Sequence, residues 1–324
     1  MADVAVLGAG YWGQKHIRTL LEVRGFDRVH CFDPRAEIRE ALARRFAGVK
    51  VHERPDDLLA DPGIRAAVIA TPPRSHYALA RQWIRGGKHV LVEKPVVLRA
   101  KEAEELALLA ARRSVALLPG HTLHFHGAVE YLKDFIARGE LGDPLWLASE
   151  RLGPGRFWPD VGVLWDLGPH EATVLFDLLD PKIETCHAVE SREPAGGGTS
   201  CCVAMAAAGG TGMFWHLSWH SPVKVRRTTL VGSRSMVLWD DLDPLWPLRV
   251  YRGELVAAGR LRGATGPALD LAGAVLPALS LGEPLRKECQ HFADVVNGLV
   301  PPALDTRHLV KVTALLERAA ASVT

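Results

Sequence analysis

At 324 residues the chain is too long for one ordinary hydrophobic core, so two domains are the default expectation. Hydrophobic residues are 48% and charged residues 23%, a globular balance, and a formal net charge of +2 offers no broad basic field for nucleic acid or an acidic membrane. No apolar run approaches the ~20 residues that span a bilayer.

Met1-Ala2-Asp3 runs straight into a strand-like segment, without the charged region and small-residue cleavage site of a signal peptide. A cytoplasmic protein is therefore expected. The cysteines, Cys31, Cys186, Cys201, Cys202 and Cys289, are odd in number and fit no zinc spacing, so they read as reduced, mostly buried thiols.

In chain order, strands are expected over 4–7, 29–32, 66–70, 89–92 and 115–118, with helices over 11–21, 36–46, 76–85 and 101–112. This βαβα rhythm of continuous apolar strands predicts a doubly wound parallel sheet, a Rossmann domain over 1–120. Pro119-Gly120 marks a boundary. Beyond it a helix is expected over 128–137 and another from Pro169, then strands over 184–190, 201–207, 212–219, 226–231, 235–239 and 248–251. That pattern predicts an α+β domain of open, mostly antiparallel sheet over 121–301. The Gly/Ala/Leu/Pro-rich stretch 259–282 has no clear period. Helices over 284–297 and 306–321 close the chain, and 302–324 is expected to pack back on the Rossmann domain.

Gly8-Ala9-Gly10-Tyr11-Trp12-Gly13 follows the first strand and opens the first helix. Gly8 permits the tight turn, Gly10 leaves room for a pyrophosphate, and Gly13 lets helix and strand pack closely. The helix N-terminus offers free N–H groups and positive dipole to phosphates. Tyr11 and Trp12 belong to the same turn. Asp33 ends the second strand, where a carboxylate accepts the ribose diol and repels a 2′-phosphate, so NAD is expected; Arg35 weakens the preference for it over NADP. Thr71, Pro72, His76, Glu93 and Lys94 stand at carboxyl ends of later strands, where open α/β sheets place their ligands, and Pro95 restricts Lys94 to extended geometry.

In Trp165-Asp166-Leu167-Gly168-Pro169-His170, Gly168 suits a cap and Pro169 a first helical position. His170 would then lie in the first turn, where the dipole disfavours imidazolium and suits a neutral base. Asp166, one turn earlier, would reach the same cleft. His121, His124 and His126 suggest no metal, since on a strand only the latter two share a face and no carboxylate or cysteine is near in sequence. Trp12, Trp158 and Trp165 are candidates for stacking on nicotinamide or sugar, whereas Trp215, Trp219 and Trp239 read as packing within the sheet or an oligomer interface.

The glycine turn, Ala70-Thr71-Pro72 with His76, Glu93-Lys94-Pro95 and Asp166-x-x-x-His170 together resemble the Gfo/Idh/MocA oxidoreductases. The resemblance extends to Val231-Gly232-Ser233, Trp239-Asp240-Asp241-Leu242 and 284–289, and residues 155–170 are similar to the branch of nucleotide-sugar 3-dehydrogenases and antibiotic-pathway sugar oxidoreductases. It implies NAD-dependent hydride transfer to or from a secondary ring hydroxyl, at C3 of a sugar, nucleotide sugar or aminoglycoside. It also implies catalytic roles for Lys94 and His170 and a homodimer or homotetramer formed through the sheet. Asp166 would position the sugar or His170, and His121 would lie in the substrate region. Arg151 and Arg156 would pair with a diphosphate, while Glu150, Asp160 and Glu171 would instead attract an amino sugar. The sequence departs from the branch at Leu123–His126, at Gly153 where Asn is usual, and at Glu171 where Asp is usual. Ketosugar reduction with NADPH and non-catalytic NAD binding by a sensor are the alternatives.

Overall fold

The computed structural model describes residues 2–154, 161–191, 198–256, 268–280 and 282–323. They divide into two compact units, Met1–Phe125 with Gly282–Glu317, and His126–Leu281 with Arg318–Thr324.

The first unit carries β1 (Ala2–Leu7), α1 (Tyr11–Glu22), β2 (Phe26–Phe32), α2 (Ala36–Arg45), β3 (Val49–His52), α3 (Pro55–Ala60), β4 (Ile64–Ile69), α4 (Pro73–Arg85), β5 (His89–Glu93), α5 (Ala100–Arg113) and β6 (Leu117–Gly120). All six strands are parallel, in the order β3-β2-β1-β4-β5-β6. This is the Rossmann order, with its switch point between β1 and β4. Both faces are covered: Val4, Val6, Val68 and Leu91 belong to one buried cluster, and Ala5, Leu7, Ala67, Ile69, Val90 and Val92 to the other. Burial on two faces is why these strands read as unbroken apolar runs. The pair β3–α3 has no such run; its strand is four residues long and only half-buried, which hid it in the sequence.

The second unit holds α6 (Gly127–Ala137), β7 (Pro144–Pro154), α7 (Val163–Leu178), β8 (Ile183–Glu190), β9 (Ser200–Ala207), β10 (Gly212–Ser218), β11 (His220–Gly232), β12 (Ser235–Asp240), β13 (Leu248–Val256) and β14 (Ala268–Val275). They build an eight-stranded sheet ordered β14-β13-β12-β11-β7-β10-β9-β8. Every pairing is antiparallel except β7 with β10. Trp215, Trp239, Leu147, Val203 and Leu217 are buried, whereas Phe214, His216 and Leu238 between them on β10 and β12 are half-buried. The α+β architecture matches expectation, but β7 and β14 were not foreseen. β7 is central to the sheet yet carries Ser149, Glu150 and Arg151, so its alternation is not visibly apolar.

α8 (Pro284–Val296), expected in the second domain, groups with the first unit. Its Leu285, Cys289, Phe292, Val295 and Val296 enter the cluster that contains Val4, Val6 and Val29. α9 (Thr306–Ala321) follows, with residues up to Glu317 in the first unit and Leu309 in that unit's other cluster. The second domain expected over 121–301 thus takes in a helix that belongs to the first unit's core. Phe292 is fully buried against Phe26, so Phe292→Ala is expected to cost about 3–5 kcal/mol. A lowered denaturant midpoint at unchanged m-value would show it.

Candidate active site

The turn between β1 and α1 is held by contact. Gly8 has φ +86°, and a Cβ there would meet the Ala70 carbonyl oxygen at 2.7 Å. A Cβ on Gly13 would lie 1.9 Å from the Gly8 carbonyl oxygen, whereas one on Gly10 would meet nothing within 4 Å. Two glycines are therefore needed for packing, and the third leaves open space. α1 has no side-chain N-cap and no acidic residue in its first turn, so its dipole is uncompensated there. These features fit a dinucleotide pyrophosphate. Lys15 lies over the rings of Tyr11 and Trp12 at 4.5 and 4.6 Å, on the flank of this turn.

Asp33 is buried at the end of β2 and accepts the Ala9 N–H at 2.9 Å. Arg35 donates to both carboxylate oxygens, from Nε and Nη2, each at 2.9 Å. Burial opposes ionisation, but these hydrogen bonds hold the Asp33 carboxyl below its ordinary range. A ribose diol would compete with Arg35 for this carboxylate, and the half-exposed Arg35 side chain is free to yield it.

His76 and Glu93, expected to touch the cofactor, lie in the interior. His76 sets Nδ1 2.8 Å from the Pro95 carbonyl oxygen and Nε2 2.7 Å from that of Thr71. Burial pushes its pKa down, which the two carbonyls and Glu93 oppose and Lys94 reinforces. Glu93 is buried and 2.7 Å from His16 Nε2, and it accepts the Lys94 N–H at 3.1 Å. Lys94 itself follows directly on β5, and the Lys94–Pro95 peptide bond is cis.

His16 came from no motif, although it lies three residues past the glycine turn. Its Nδ1 is 3.6 Å from Cys289 Sγ. Burial pushes the Cys289 thiol well up, so it stays protonated and can donate to Nδ1 while Nε2–H donates to Glu93. Glu288 is fully buried, takes a hydrogen bond from the Thr122 hydroxyl at 3.2 Å, and leaves Oε1 with no hydrogen-bond partner among the described residues. Burial and the nearby Glu93 push its pKa well above the usual value, so it is neutral when folded. His121, expected in the substrate region, is buried edge-on to His308, and burial and two neighbouring imidazoles push its pKa well down. It is an interior group of the first unit.

In the second unit α7 starts at Val163, with Gly162 as its cap, and Pro169 lies inside it. His170 is thus two turns in, where the dipole has faded, and the first-turn argument for a neutral base fails. Asp166 occupies the first turn instead, on the same face as His170, and Trp219 Nε1 donates to its Oδ2 at 3.0 Å. Arg151 on β7 and Glu171 on α7 form a buried pair, Nε to Oε1 at 2.5 Å. Each cancels the other, so neither is a free attractor for a diphosphate or an amine. Arg156, Trp158 and Asp160 lie outside the described residues.

His121 and His124 adjoin or lie on a short 3₁₀ turn (Thr122–Phe125), not on a strand, and His126 caps α6 in the second unit. His126 Nε2 lies 3.1 Å from Asp241, which also faces Arg226 at 3.7 Å. The sequence reading missed this network because its carboxylate comes from β12's far end, 115 residues on; the Trp239-Asp240-Asp241 motif was the available signal. Among the described residues no three His, Cys, Asp or Glu side chains could hold a metal. The five cysteines are free.

Residues 2–121, which carry all of the glycine turn and Lys94, match the model of an oxidoreductase family with an NAD-binding Rossmann fold. That family is the Gfo/Idh/MocA oxidoreductases, and the match covers the first unit's Rossmann sheet, less than half of the chain. An uncharacterised oxidoreductase of Synechocystis sp. is 33% identical over 160 residues, 48% of this chain and 43% of that protein. UDP-N-acetylglucosamine 3-dehydrogenase of Acidithiobacillus ferrooxidans is 33% identical over 186 residues, 54% of each. The chain thus spans about half the length of the curated relatives it matches. Among solved structures, GenD2 from gentamicin A biosynthesis, in complex with NAD, is 26% identical with a TM-score of 0.82, over 99% of this chain and 93% of that one.

Glu288 supplies a test of the interior charge state. The unfolded chain ionises this carboxyl above about pH 4.3. Because the folded pKa is raised, Glu288's contribution to stability is full below that value and is lost as pH rises toward the folded one. Glu288→Gln removes the titration, so the variant is expected to gain on the parent by up to about 1.4 kcal/mol per pH unit. Thermal melts across about pH 5–8 should diverge with rising pH; parallel curves would refute a neutral Glu288.

Proposed function

We propose that this protein is an NAD-dependent dehydrogenase of a sugar, acting on a secondary ring hydroxyl, C3 of a nucleotide sugar or aminoglycoside, in bacterial saccharide or antibiotic biosynthesis. The observation that carries the reading is the placement of Lys94 directly after β5, on the same carboxyl edge of the sheet as the glycine turn. Similarity to a UDP-sugar 3-dehydrogenase and to GenD2 supports the substrate class.

Bound NAD supplies the acceptor of the carbinol hydrogen, at nicotinamide C4. The chain supplies the rest. Lys94 Nζ donates to the substrate oxygen and stabilises charge developing on it. The His170 imidazole takes the hydroxyl proton. Asp166, held by Trp219, orients the sugar or His170 on the same helical face. The buried Arg151–Glu171 pair fixes α7 against β7 and so serves orientation rather than substrate charge.

Lys94→Ala and His170→Ala are each expected to lower kcat by about 10²–10⁴-fold while NADH binding persists. NADH formation is to be followed with UDP-sugars and with aminoglycosides as separate panels. Full activity in both variants would end the assignment of these residues, and no turnover with either panel would end the substrate class.

Five free thiols suit the reducing cytoplasm as the working compartment. Among the described residues no helix is long and apolar enough to cross a membrane. We assign the outer face of the eight-stranded sheet to a homodimer or homotetramer interface. Trp146, 44% exposed, lies across Gly212 there, and Leu145 beside it is also exposed. Trp146→Asp is expected to turn the oligomer into monomers by light scattering; an unchanged mass would move the interface elsewhere.

A further inference from the structure

The main chain around Lys94 is held from two buried imidazoles, directly at Pro95 by His76 and through the Glu93 carboxylate by His16. On the N-terminal side both oxygens of Glu93 are committed: Oε1 to His16 Nε2 at 2.7 Å, Oε2 to the Lys94 N–H at 3.1 Å. On the C-terminal side the carbonyl of Pro95 is 2.8 Å from His76 Nδ1. The two imidazoles have separate origins. His16 is on α1, whose N-terminus is the glycine turn, and His76 is on α4, which begins just past Thr71 and Pro72. His76 Nε2 also lies 2.7 Å from the Thr71 carbonyl, so the ring sits between the two loops, and when neutral it donates to one of their carbonyls at a time.

A buried histidine is commonly only a satisfied interior group. His30, paired with His52 at 2.9 Å and Asp3 at 3.1 Å, is such a case at the start of β1. His16 and His76 differ in what they hold. Between them they fix the residue before Lys94 and the residue after it, and each does so from the first two turns of a helix that starts at a cofactor-side turn. Helices are stiff over such short spans, so a shift of either turn is passed to the Glu93–Pro95 segment rather than absorbed.

We propose that His16 and His76 are positioning residues, which couple the seating of the dinucleotide at the glycine and Thr71 turns to the placement of Lys94. The proposal rests on the reading of Lys94 as a catalytic residue, but it concerns the coupling and is tested without turnover. Spatial adjacency alone does not demonstrate coupling; an energetic readout does.

The full chain is labelled with trace acetic anhydride across about pH 6–10, with and without NAD. Acetylation of Lys94 is read by mass spectrometry against the exposed Lys101 of α5. In the parent chain NAD is expected to change the rate and pH midpoint of Lys94 acetylation. His16→Phe and His76→Phe keep a ring and lose the donors, and both are expected to abolish that response. The amide variants test the geometry if the ring variants fail to fold. Asn at 76 places its nitrogen where Nδ1 lies and retains the Pro95 link, whereas Gln places it at Nε2 and retains only Thr71. H76N is therefore expected to keep the response and H76Q to lose it, while H16Q, which still reaches Glu93, keeps it.

In turnover assays the folded Phe variants are expected to lose about 10²-fold in kcat with KM little changed. An NAD response of Lys94 equal to the parent's in folded H16F and H76F, or in both H76N and H76Q, overturns the proposal. So does a parent chain whose Lys94 ignores NAD. A histidine-dependent response together with no turnover on any sugar would sink the dehydrogenase reading and leave the coupling standing. Turnover with unaltered Lys94 chemistry in the variants would do the reverse.

Discussion

The Gly8 carbonyl oxygen occupies the place where any side chain at position 13 would begin, 1.9 Å from that position's Cβ direction. This single approach sets how α1 leaves β1, and the rest of the first unit inherits its geometry. With α1 laid this close to the sheet, Ile17 and Leu20 reach the buried cluster shared with Val4 and Leu91. The same depth carries His16 to Glu93, at the end of β5 two strands away from β1. A methyl group at position 13 would push the helix outward and loosen all of these contacts together.

Much of the first unit was legible because its signals are local. Parallel strands covered on both faces appear as apolar runs, and the glycine spacing reports a turn that only glycine can make. What the sequence concealed depends on partners far away in the chain. β7 escaped notice because Arg151 is buried only in company with Glu171, so a buried position carries a charge. The start of α7 was misplaced because Pro169 was taken as a first-turn residue; the true cap is Gly162, and a Pro in mid-helix forfeits a hydrogen bond that packing tolerates here. α8 was placed in the wrong unit since its amphipathic face shows that it packs, not against what. Lys94 was legible from its motif, but the roles of His16 and Glu288, 77 and 195 residues from Glu93, were not.

The polar interiors of the two units obey one rule by different means. In the first, Glu93 is ionised against His16 whereas Glu288 avoids charge altogether by keeping its proton. In the second, carboxylates meet cations: Glu171 with Arg151, and Asp241 with Arg226, while His126 Nε2 also lies 3.1 Å from Asp241. Such groups add little net stability compared with apolar packing, but each tolerates only one arrangement of its neighbours. They fix the register of β7, β11 and α7, and the path of the chain around Lys94.

The first unit takes a core helix from residues 284–296, after the whole eight-stranded sheet has been spelled out. During synthesis, therefore, a Rossmann sheet emerges early but must wait for Phe292 to cover the face formed by Val4 and Val29. β7 waits too, since its neighbours β10 and β11 begin 68 and 76 residues after its own first residue. Long-range closure of this kind is slow and leaves apolar surface open on the ribosome. Nascent chains halted before residue 284 should consequently depend on holding chaperones, a liability written into the order of the elements and not into any one of them.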